Sequence, residues 1–268
     1  MSAVRVAIAG ASGRMGRALL EAATSTDGIE LVGALDVASS PCAGRDAGEL
    51  CAGARGIVVA TEPGAALQAA DVLIDFTRPE GTLGHVIACR KARRAIVIGT
   101  TGFAPAGLAE IRDAAKDIAI MMAPNMSVGV NVMLELVGRA AKLLGSGYDA
   151  EVFEIHHKMK VDAPSGTALK LGEVLARARG TSLDKDGVFA RHGQTGERKD
   201  GAIGFAVARG GDIVGDHTVY FAGPGERLEV THRAGSRATY AQGALRAAKF
   251  LAGKTPGLYE MRDVLGLK

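Results

Sequence analysis

The segment 154–168 holds the densest group of side chains that could take part in chemistry. His156 and His157 stand at the end of a predicted strand, and Lys160 follows closely. Histidines titrate near neutral pH and can exchange protons, while a lysine ammonium favours an anionic ligand. Two exposed histidines with no role are the simpler alternative. We expect no metal site, because neighbouring residues of a strand point to opposite faces and no further ligands complete a coordination sphere.

The same segment opens a helix at Ser165, Gly166 and Thr167. Hydroxyl and backbone N–H groups at the start of a helix can hold a carboxylate, helped by the positive end of the helix dipole. Together with Lys160, this helix start indicates an anionic substrate. A serine that only caps the helix is the alternative interpretation.

A glycine-rich turn, GASGRMG, follows the first predicted strand and opens the first helix. Its residues are Gly10, Ala11, Ser12, Gly13, Arg14, Met15 and Gly16. Glycines let the backbone turn tightly and approach a pyrophosphate, which the helix N–H groups then hold. The spacing is GxxGxxG rather than GxGxxG, so a purely structural turn is the alternative. Asp36, at the end of the second strand, favours a dinucleotide, because a carboxylate there can accept bonds from ribose hydroxyls.

The residues after the second strand bear on the choice between NADH and NADPH. A carboxylate at Asp36 repels a 2′-phosphate, and Val37 supplies no compensating cation. NADH is therefore favoured, but Arg14 lies in the phosphate loop and could reach a 2′-phosphate. The sequence leaves NADH and/or NADPH open.

Three more short polar loops follow predicted strands. They are Asp75–Pro79, the loop with Gly99, Thr100, Thr101 and Gly102, and the loop with Ala123, Pro124, Asn125, Met126 and Ser127. In open α/β sheets ligands bind in the crevice at the carboxyl ends of the strands. Each loop alone is an ordinary turn or cap, but together they fit a nicotinamide and its ribose.

Strand and helix signals alternate through the first 125 residues, which predicts a Rossmann-like, doubly wound parallel sheet of the α/β class. After Asn125 the pattern changes to half-buried strands mixed with helices, which predicts a mixed α+β domain. We therefore expect two domains with a boundary near 125. The charged, glycine-containing segment 180–201 is expected to be a loop, and the stretch from Arg191 to Gly204 could be a mobile lid or an ordinary loop.

Composition excludes several classes of protein. The 268 residues are 47% hydrophobic with a net charge of +3, which is typical of a globular chain and too mild for a nucleic-acid binder. The longest uncharged run, 118–134, contains Pro124, Asn125 and Gly129, so it is no membrane span. Three scattered cysteines and a strand that starts at Val4 lead us to expect a cytoplasmic protein.

Seven stretches resemble one known enzyme family. In chain order they are VAIAGASGRMG, DFTRPEGT, GTTGF, APNMSVGVN, EIHHKMKVDAPSGTA, RHGQTGER and IVGDHTVYF. They resemble 4-hydroxy-tetrahydrodipicolinate reductase (dihydrodipicolinate reductase) over essentially the whole chain, and the HHxxKxDAPSGTA pattern is highly specific. The resemblance implies an NAD(P)H-dependent reductase of lysine/diaminopimelate biosynthesis, a homotetramer, with a cyclic dicarboxylate as substrate.

The resemblance also implies domains and residue roles. Residues 1–126 and 237–268 would bind the dinucleotide, and 127–236 would bind the substrate and form the oligomer.

The resemblance assigns the residues as follows. The dinucleotide would be held by Gly10 to Met15 and Asp36, and the nicotinamide side would be lined by Gly99, Thr100, Thr101 and Ala123 to Met126. His156 would be a proton donor or acceptor and Lys160 the proton donor. His157, Gly166 and Thr167 would bind substrate. Val37 departs from members that carry an arginine there, so cofactor preference is in doubt.

Two other functions fit the residues less well. One is another NAD(P)-dependent dehydrogenase of a small anionic substrate, since the fold alone does not decide the reaction. The other is a dinucleotide sensor without turnover, which has no need of His156 and Lys160 beside an anion site.

Overall fold

The computed structural model describes residues 2–267, which form two compact units. The first unit comprises the described residues up to Val128 and those from Arg237 onward, and the second comprises Gly129–Ser236. The following elements lie in the described residues, in chain order: β1 (Val4–Ala9), α1 (Arg14–Ser25), β2 (Ile29–Leu35), β3 (Val59–Ala60), α2 (Pro63–Leu67), β4 (Val72–Asp75), α3 (Pro79–Ala92), β5 (Ala95–Ile98), α4 (Pro105–Ala114), β6 (Ala119–Met122), α5 (Val128–Leu144), β7 (Asp149–His156), α6 (Gly166–Ala178), α7 (Leu183–Asp186), β8 (Gly187–Val188), β9 (Ile203–Arg209), β10 (Gly215–Gly223), β11 (Glu226–Ala234), α8 (Ala238–Leu251), β12 (Gly257–Tyr259) and α9 (Met261–Leu265).

The first unit is built on a parallel sheet. Its strand order within residues 2–267 is β12-β6-β5-β4-β1-β2-β3, and every neighbouring pair is parallel. This is the doubly wound order 3-2-1-4-5-6 with β12 added beside β6. The order reverses between β1 and β4, so ligand-binding loops are expected at the carboxyl ends of these strands. The predicted fold class is confirmed for this unit.

Helices cover both faces of this sheet because successive strand residues point to opposite sides. Val6 and Ile8 of β1 pack with residues of α1 and α8, such as Leu19 and Leu245. Ala7 and Ala9 belong to a second cluster with residues of α3 and α4. The absence of a side chain at Gly243 lets α8 lie directly against the Met126 carbonyl group.

The second unit is built on a mixed sheet, as predicted. Within the described residues its order is β11-β10-β7-β9-β8. β10 is antiparallel to both β7 and β11, while β7 and β9 are parallel. Residues of β7 alternate between partly exposed and buried, and the buried Ala150 and Val152 pack against Val137 of α5 and Leu171 of α6. β7 therefore turns one row of side chains, ending in Glu154 and His156, toward the interior.

Two sequence expectations are refined. The segment 180–201 contains the short α7 and β8, and Arg198 anchors it to β7 through Asp149 and Glu151, at 2.6 and 3.0 Å. The uncharged run 118–134 divides into β6, a turn and the start of α5. Within residues 2–267, none of the helices combines the length and apolarity needed to cross a membrane.

β10 carries a buried histidine, His217, with 4% of its surface exposed. Its Nε2 lies 3.0 Å from the Ser165 hydroxyl, and its ring meets that of His156 edge to face at 5.0 Å between centroids. Burial, reinforced by the charge of His156, lowers the pKa of His217 to about 4.

The first prediction concerns two glycines in the middle of helices. A Cβ on Gly243 would lie 1.8 Å from the Met126 carbonyl oxygen, whereas a Cβ on the exposed Gly84 of α3 would meet nothing within 4 Å. Gly243→Ala should lower the free energy of unfolding by about 1–3 kcal/mol. The matched Gly84→Ala should raise it by about 0.5–1 kcal/mol, because alanine restricts the unfolded chain. Urea unfolding measures both changes, and equal shifts in the two variants would contradict the packing of α8.

The second prediction concerns acid stability. Unfolded His217 binds a proton near the ordinary histidine pKa of 6.5, but folded His217 has a pKa of about 4. The unfolded state therefore holds more protons between these values, so stability is present above pH 6.5 and is lost as the pH falls toward 4. At about 1.4 kcal/mol per pKa unit, protonation of His217 in the unfolded state should lower the free energy of unfolding by roughly 3 kcal/mol over this pH range.

The measurement is the midpoint of thermal unfolding at several pH values. His217→Gln, whose amide can still reach the Ser165 hydroxyl, should lose less stability than the parent chain between pH 6.5 and 4. His192→Gln, an exposed substitution in the segment 180–201, is the matched control and should follow the parent. A His217→Gln curve parallel to the parent's would refute this contribution.

Candidate active site

The parallel sheet brings the predicted dinucleotide residues to one edge. They follow the carboxyl ends of four strands: Gly10, Ala11, Ser12, Gly13, Arg14 and Met15 after β1, Asp36 after β2, Gly99, Thr100 and Thr101 after β5, and Ala123, Pro124, Asn125 and Met126 after β6. Because all these strands run in the same direction, their carboxyl ends meet along that edge. The residues that are separated in the sequence therefore belong to one surface of the first unit.

The glycine turn brings the start of α1 against the end of β1. Gly10 has a φ of +70°, and a Cβ there would approach the Thr77 methyl group to 2.9 Å. A Cβ on Gly16 would lie 2.0 Å from the Gly10 carbonyl oxygen. The Ala11 N–H donates to the Leu35 carbonyl at 3.1 Å, which joins the turn to β2. Side chains at positions 10 and 16 would break this close approach.

Asp36 is bonded to the glycine turn. Its two oxygens accept bonds from the backbone N–H groups of Ser12 and Val37, both at 2.8 Å. Burial raises the pKa of Asp36, but these hydrogen bonds outweigh it, and the net pKa lies below the usual value. The carboxylate is thus ionised at neutral pH. Neighbouring Val37 is 65% exposed and uncharged, and Arg14 is exposed at the first residue of α1.

A buried polar cluster supports the middle of the same edge. Asp75 is fully buried, and one of its oxygens accepts from the Thr77 N–H and hydroxyl, each at 2.7 Å. The other lies 2.7 Å from Nδ1 of His85. Thr82 donates to the Thr100 hydroxyl at 2.9 Å, so the predicted nicotinamide-side loop rests on α3. The sequence reasoning assigned no role to His85 or Thr82.

The remaining loops are shaped by close packing. A Cβ on Gly99 would lie 2.1 Å from the Phe76 ring, so only glycine fits there. Ala123 and Met126 are 5% and 1% exposed and belong to the core. They would reach a ligand through backbone groups. The Asn125 side chain accepts from the Ser127 N–H at 2.9 Å, which closes the turn before α5.

In the second unit, His156 is held at the end of β7 by a buried carboxylate. Its Nδ1 is hydrogen-bonded to Glu154, which is fully buried. Arg209 binds both oxygens of Glu154, at 2.9 and 3.0 Å, and the Ser165 N–H donates to one of them at 3.0 Å. Burial raises the pKa of Glu154, but the hydrogen bonds from Arg209, His156 and the Ser165 N–H lower it, and the net pKa lies below the usual value.

Burial also decides the protonation of His156. It lowers the pKa of His156, Glu154 raises it, and Lys160 and Arg209 lower it, so the net direction is downward. His156 is therefore neutral at pH 7. With Nδ1 bonded to a carboxylate, the neutral ring carries its proton on Nδ1 and offers Nε2 as the acceptor.

Lys160 lies on the turn after β7. Its ammonium binds both oxygens of Asp162, at 2.8 and 2.9 Å, and the Lys160 side chain is 19% exposed. Three bonds join the turn to neighbouring segments. The His157 N–H donates to the Ile213 carbonyl at 2.7 Å, the Lys158 N–H donates to the Gly211 carbonyl at 3.2 Å, and Arg209 donates to the Asp162 carbonyl at 2.6 Å. Lys160 is thus positioned to bind a carboxylate.

The start of α6 lies beside this turn. Ser165 is its N-cap, and the Ser165 hydroxyl accepts from the Ala168 N–H at 3.2 Å. Gly166 is exposed, and Thr167 is half-buried. A helix start with an exposed first residue is able to receive a carboxylate. In residues 2–267, no three His, Cys, Asp or Glu side chains are grouped so that they could hold a metal ion.

Sequence reasoning missed three residues of this group. Glu154 could have been found, because strand residues two apart share a face. Arg209 pairs with His156 in the β7–β9 register, and His217 pairs with Glu154 in the β7–β10 register. Those two pairings join distant parts of the chain, and no local sequence signal reports them.

Comparison with known proteins identifies the family. A family model described as "Dihydrodipicolinate reductase, N-terminus" matches residues 4–126, and one described as "Dihydrodipicolinate reductase, C-terminus" matches 129–265. The 4-hydroxy-tetrahydrodipicolinate reductase of Cupriavidus necator is 58% identical over 99% of this chain and 100% of its own length. That of Bordetella pertussis is 59% identical over 98% of this chain and 97% of its own.

A solved structure shares the fold. The dipicolinate-bound dihydrodipicolinate reductase from Paenisporosarcina sp. TG-14 aligns with a TM-score of 0.75 and 24% identity, over 96% of this chain and 97% of its own. The two family models together match nearly the whole chain, and the relatives are similar along their full length. The chain belongs to the dihydrodipicolinate reductase family.

Proposed function

We propose that this chain reduces 4-hydroxy-tetrahydrodipicolinate to tetrahydrodipicolinate, with loss of water, at the expense of NAD(P)H in lysine/diaminopimelate biosynthesis. The observation that carries the proposal is the grouping of His156, Lys160 and the start of α6 in a chain 58% identical to reductases with this name. These residues offer a proton-exchanging ring, a cation and a helix N-terminus, which suit a small anionic substrate.

The first unit fits a nicotinamide dinucleotide. Any side chain at Gly10 or Gly16 would fill the space at the turn, and the α1 N-terminus that opens there is able to bind a pyrophosphate. Asp36 is ionised at the end of β2 and would accept bonds from ribose hydroxyls. The residues from Gly99 to Thr101 and from Ala123 to Met126 would line the nicotinamide side. The bound cofactor supplies the hydride.

The second unit fits a cyclic dicarboxylate. The relative from Paenisporosarcina is described as dipicolinate-bound, and dipicolinate is such a molecule. In this chain Lys160 already binds a carboxylate, that of Asp162. Gly166 and Thr167 would hold one carboxylate of the substrate at the start of α6, and His157 would contact the same ligand.

Lys160 and His156 would exchange protons with the substrate. Reduction at C4 breaks the C4–O bond and forms a C4–H bond, so one hydride and one proton are consumed and the hydroxyl departs as water. Lys160, as an ammonium, would be the proton donor. His156 would donate or accept through Nε2, because Glu154 occupies Nδ1. Both groups act as general acids or bases only when the substrate lies within hydrogen-bond distance.

A coupled assay with freshly made substrate tests the reaction through the absorbance of the reduced nicotinamide. Lys160→Ala should lower kcat by about 100-fold or more, because a general acid contributes at least that much. Lys158→Ala removes an exposed lysine from the same turn and should retain the parent's kcat. Full activity of Lys160→Ala with an unchanged pH profile would remove Lys160 from the mechanism. Cofactor binding without turnover on any cyclic imine would instead indicate a sensor.

Cofactor preference provides a separate prediction. We expect kcat/KM with NADH to equal or exceed that with NADPH, because Asp36 is ionised and Val37 is uncharged. Asp36→Asn should shift the ratio toward NADPH, while Asp27→Asn, an exposed change beyond α1, should leave it unaltered. A tenfold preference of the parent for NADPH, about 1.4 kcal/mol, would mean that Arg14 outweighs Asp36. The homotetramer and the cytoplasmic location implied at the sequence level stay predictions.

A further inference from the structure

We propose that Glu154 is the positioning residue of this site, holding the His156 ring, the start of α6 and the turn with Lys160 in one arrangement through a single buried carboxylate. The proposal rests on the function proposed above, and it goes beyond it by assigning a role to a residue that touches neither the substrate nor the cofactor. It also fixes which nitrogen of His156 exchanges a proton with the substrate.

Glu154 makes too many specific bonds to be a bystander. One oxygen accepts from the Ser165 N–H and from Arg209, both at 3.0 Å. The other accepts from Arg209 at 2.9 Å and is bonded to His156 Nδ1. A fully buried carboxylate is costly unless donors surround it, and here four donors do. Its orientation is therefore fixed by the fold.

Each of these bonds reaches a different part of the site. The bond to Nδ1 holds the His156 ring, and the Ser165 N–H belongs to the N-cap of α6. Arg209 continues to the Asp162 carbonyl at 2.6 Å, and Asp162 in turn binds Lys160. Glu154 thus connects the three groups that would handle the substrate.

The His156 ring is also confined by a neighbouring ring. His217 packs against it edge to face at 5.0 Å between centroids. Gly215 leaves space beside Nε2, because a Cβ there would lie 2.7 Å from that nitrogen. The ring can therefore not flip to present Nδ1 to a ligand without breaking the bond to Glu154. Nε2 is the nitrogen left to exchange a proton.

The charged and titratable groups that face His156 determine how a change at Glu154 would act. They are Glu154 on β7, His217 on β10, Lys160 on the following turn and Arg209 at the end of β9. Glu154 alone favours the protonated ring, whereas Lys160 and Arg209 oppose it. Loss of the Glu154 charge should lower the pKa of His156 further, which a purely structural role would not do.

The experiment compares Glu154→Gln with Glu154→Asp and with Glu151→Gln. Glutamine keeps the size and loses the charge, and aspartate keeps the charge. Glu151 is the matched control: it lies on the same strand and pairs with two arginines, Arg191 and Arg198, but it does not bond to His156. Readouts are kcat and KM as functions of pH, and NMR titration of ¹⁵N-labelled histidines in the ligand-free protein.

In Glu154→Gln we expect kcat to fall on the order of 10- to 100-fold, the range for partners that orient a functional histidine from outside the site, with a smaller change in KM. The pKa of His156 should fall by about one unit or more, and the acid limb of the kcat profile should move with it. Glu154→Asp should recover part of kcat and of the pKa, and Glu151→Gln should match the parent.

Three results would overturn the proposal. The first is an unchanged His156 titration in Glu154→Gln. The second is an equal loss of kcat in Glu151→Gln. The third can be seen in the parent chain, whether or not the variants fold: ¹⁵N shifts showing the neutral His156 proton on Nε2 rather than Nδ1. If the parent does not turn over the substrate but His156 titrates as expected in all variants, the reaction assignment fails and the positioning role of Glu154 stands.

Discussion

A carboxylate can remain ionised inside a protein only where donors replace the water that it has lost, and this requirement organises the second unit. Glu154 satisfies it with donors from three separate segments: His156 on its own strand, Ser165 at the start of α6, and Arg209 on β9. Because the ionised carboxylate needs all of these donors, it also keeps the three segments that carry them together. The geometry of the candidate site is therefore a consequence of solvating one buried group.

The first unit uses the same device at the edge of its parallel sheet. Asp36 accepts from the Ser12 N–H and so joins the end of β2 to the glycine turn after β1. Asp75 at the end of β4 accepts hydrogen bonds from the Thr77 N–H and hydroxyl and is hydrogen-bonded to His85. In each case a carboxylate at or beyond the end of a strand captures the backbone of a loop. Loops that are bound in this way can present a preformed surface to a dinucleotide.

Local sequence signals account for most of the sheet in the first unit and for less of the second. β1, β4 and β5 are short apolar runs that end at glycine or aspartate, and such runs are typical of buried parallel strands. β12 has only three residues, Gly257–Tyr259, and exists because β6 offers a free edge, which no local pattern reveals. β8 is a two-residue strand that pairs with β9, and α7 has only four residues, so neither has a periodic pattern in the charged segment that contains them. The candidate site follows this division. His156 and Lys160 are recognisable as residue types, but Arg209 enters only through the β7–β9 register.

The two groups proposed to exchange protons are held in contrasting ways, and the contrast suits their roles. His156 is bonded to a carboxylate that no ligand can reach, because Glu154 is fully buried, so the position of its ring is independent of what binds. Lys160 is bonded to Asp162, whose side chain is 57% exposed on the same turn. A substrate carboxylate can compete for the Lys160 ammonium, because the Asp162 carboxylate is exposed and can be solvated by water when it is displaced. The histidine thus has a fixed position on the strand, and the lysine is a cation that can exchange its internal partner, Asp162, for a substrate carboxylate.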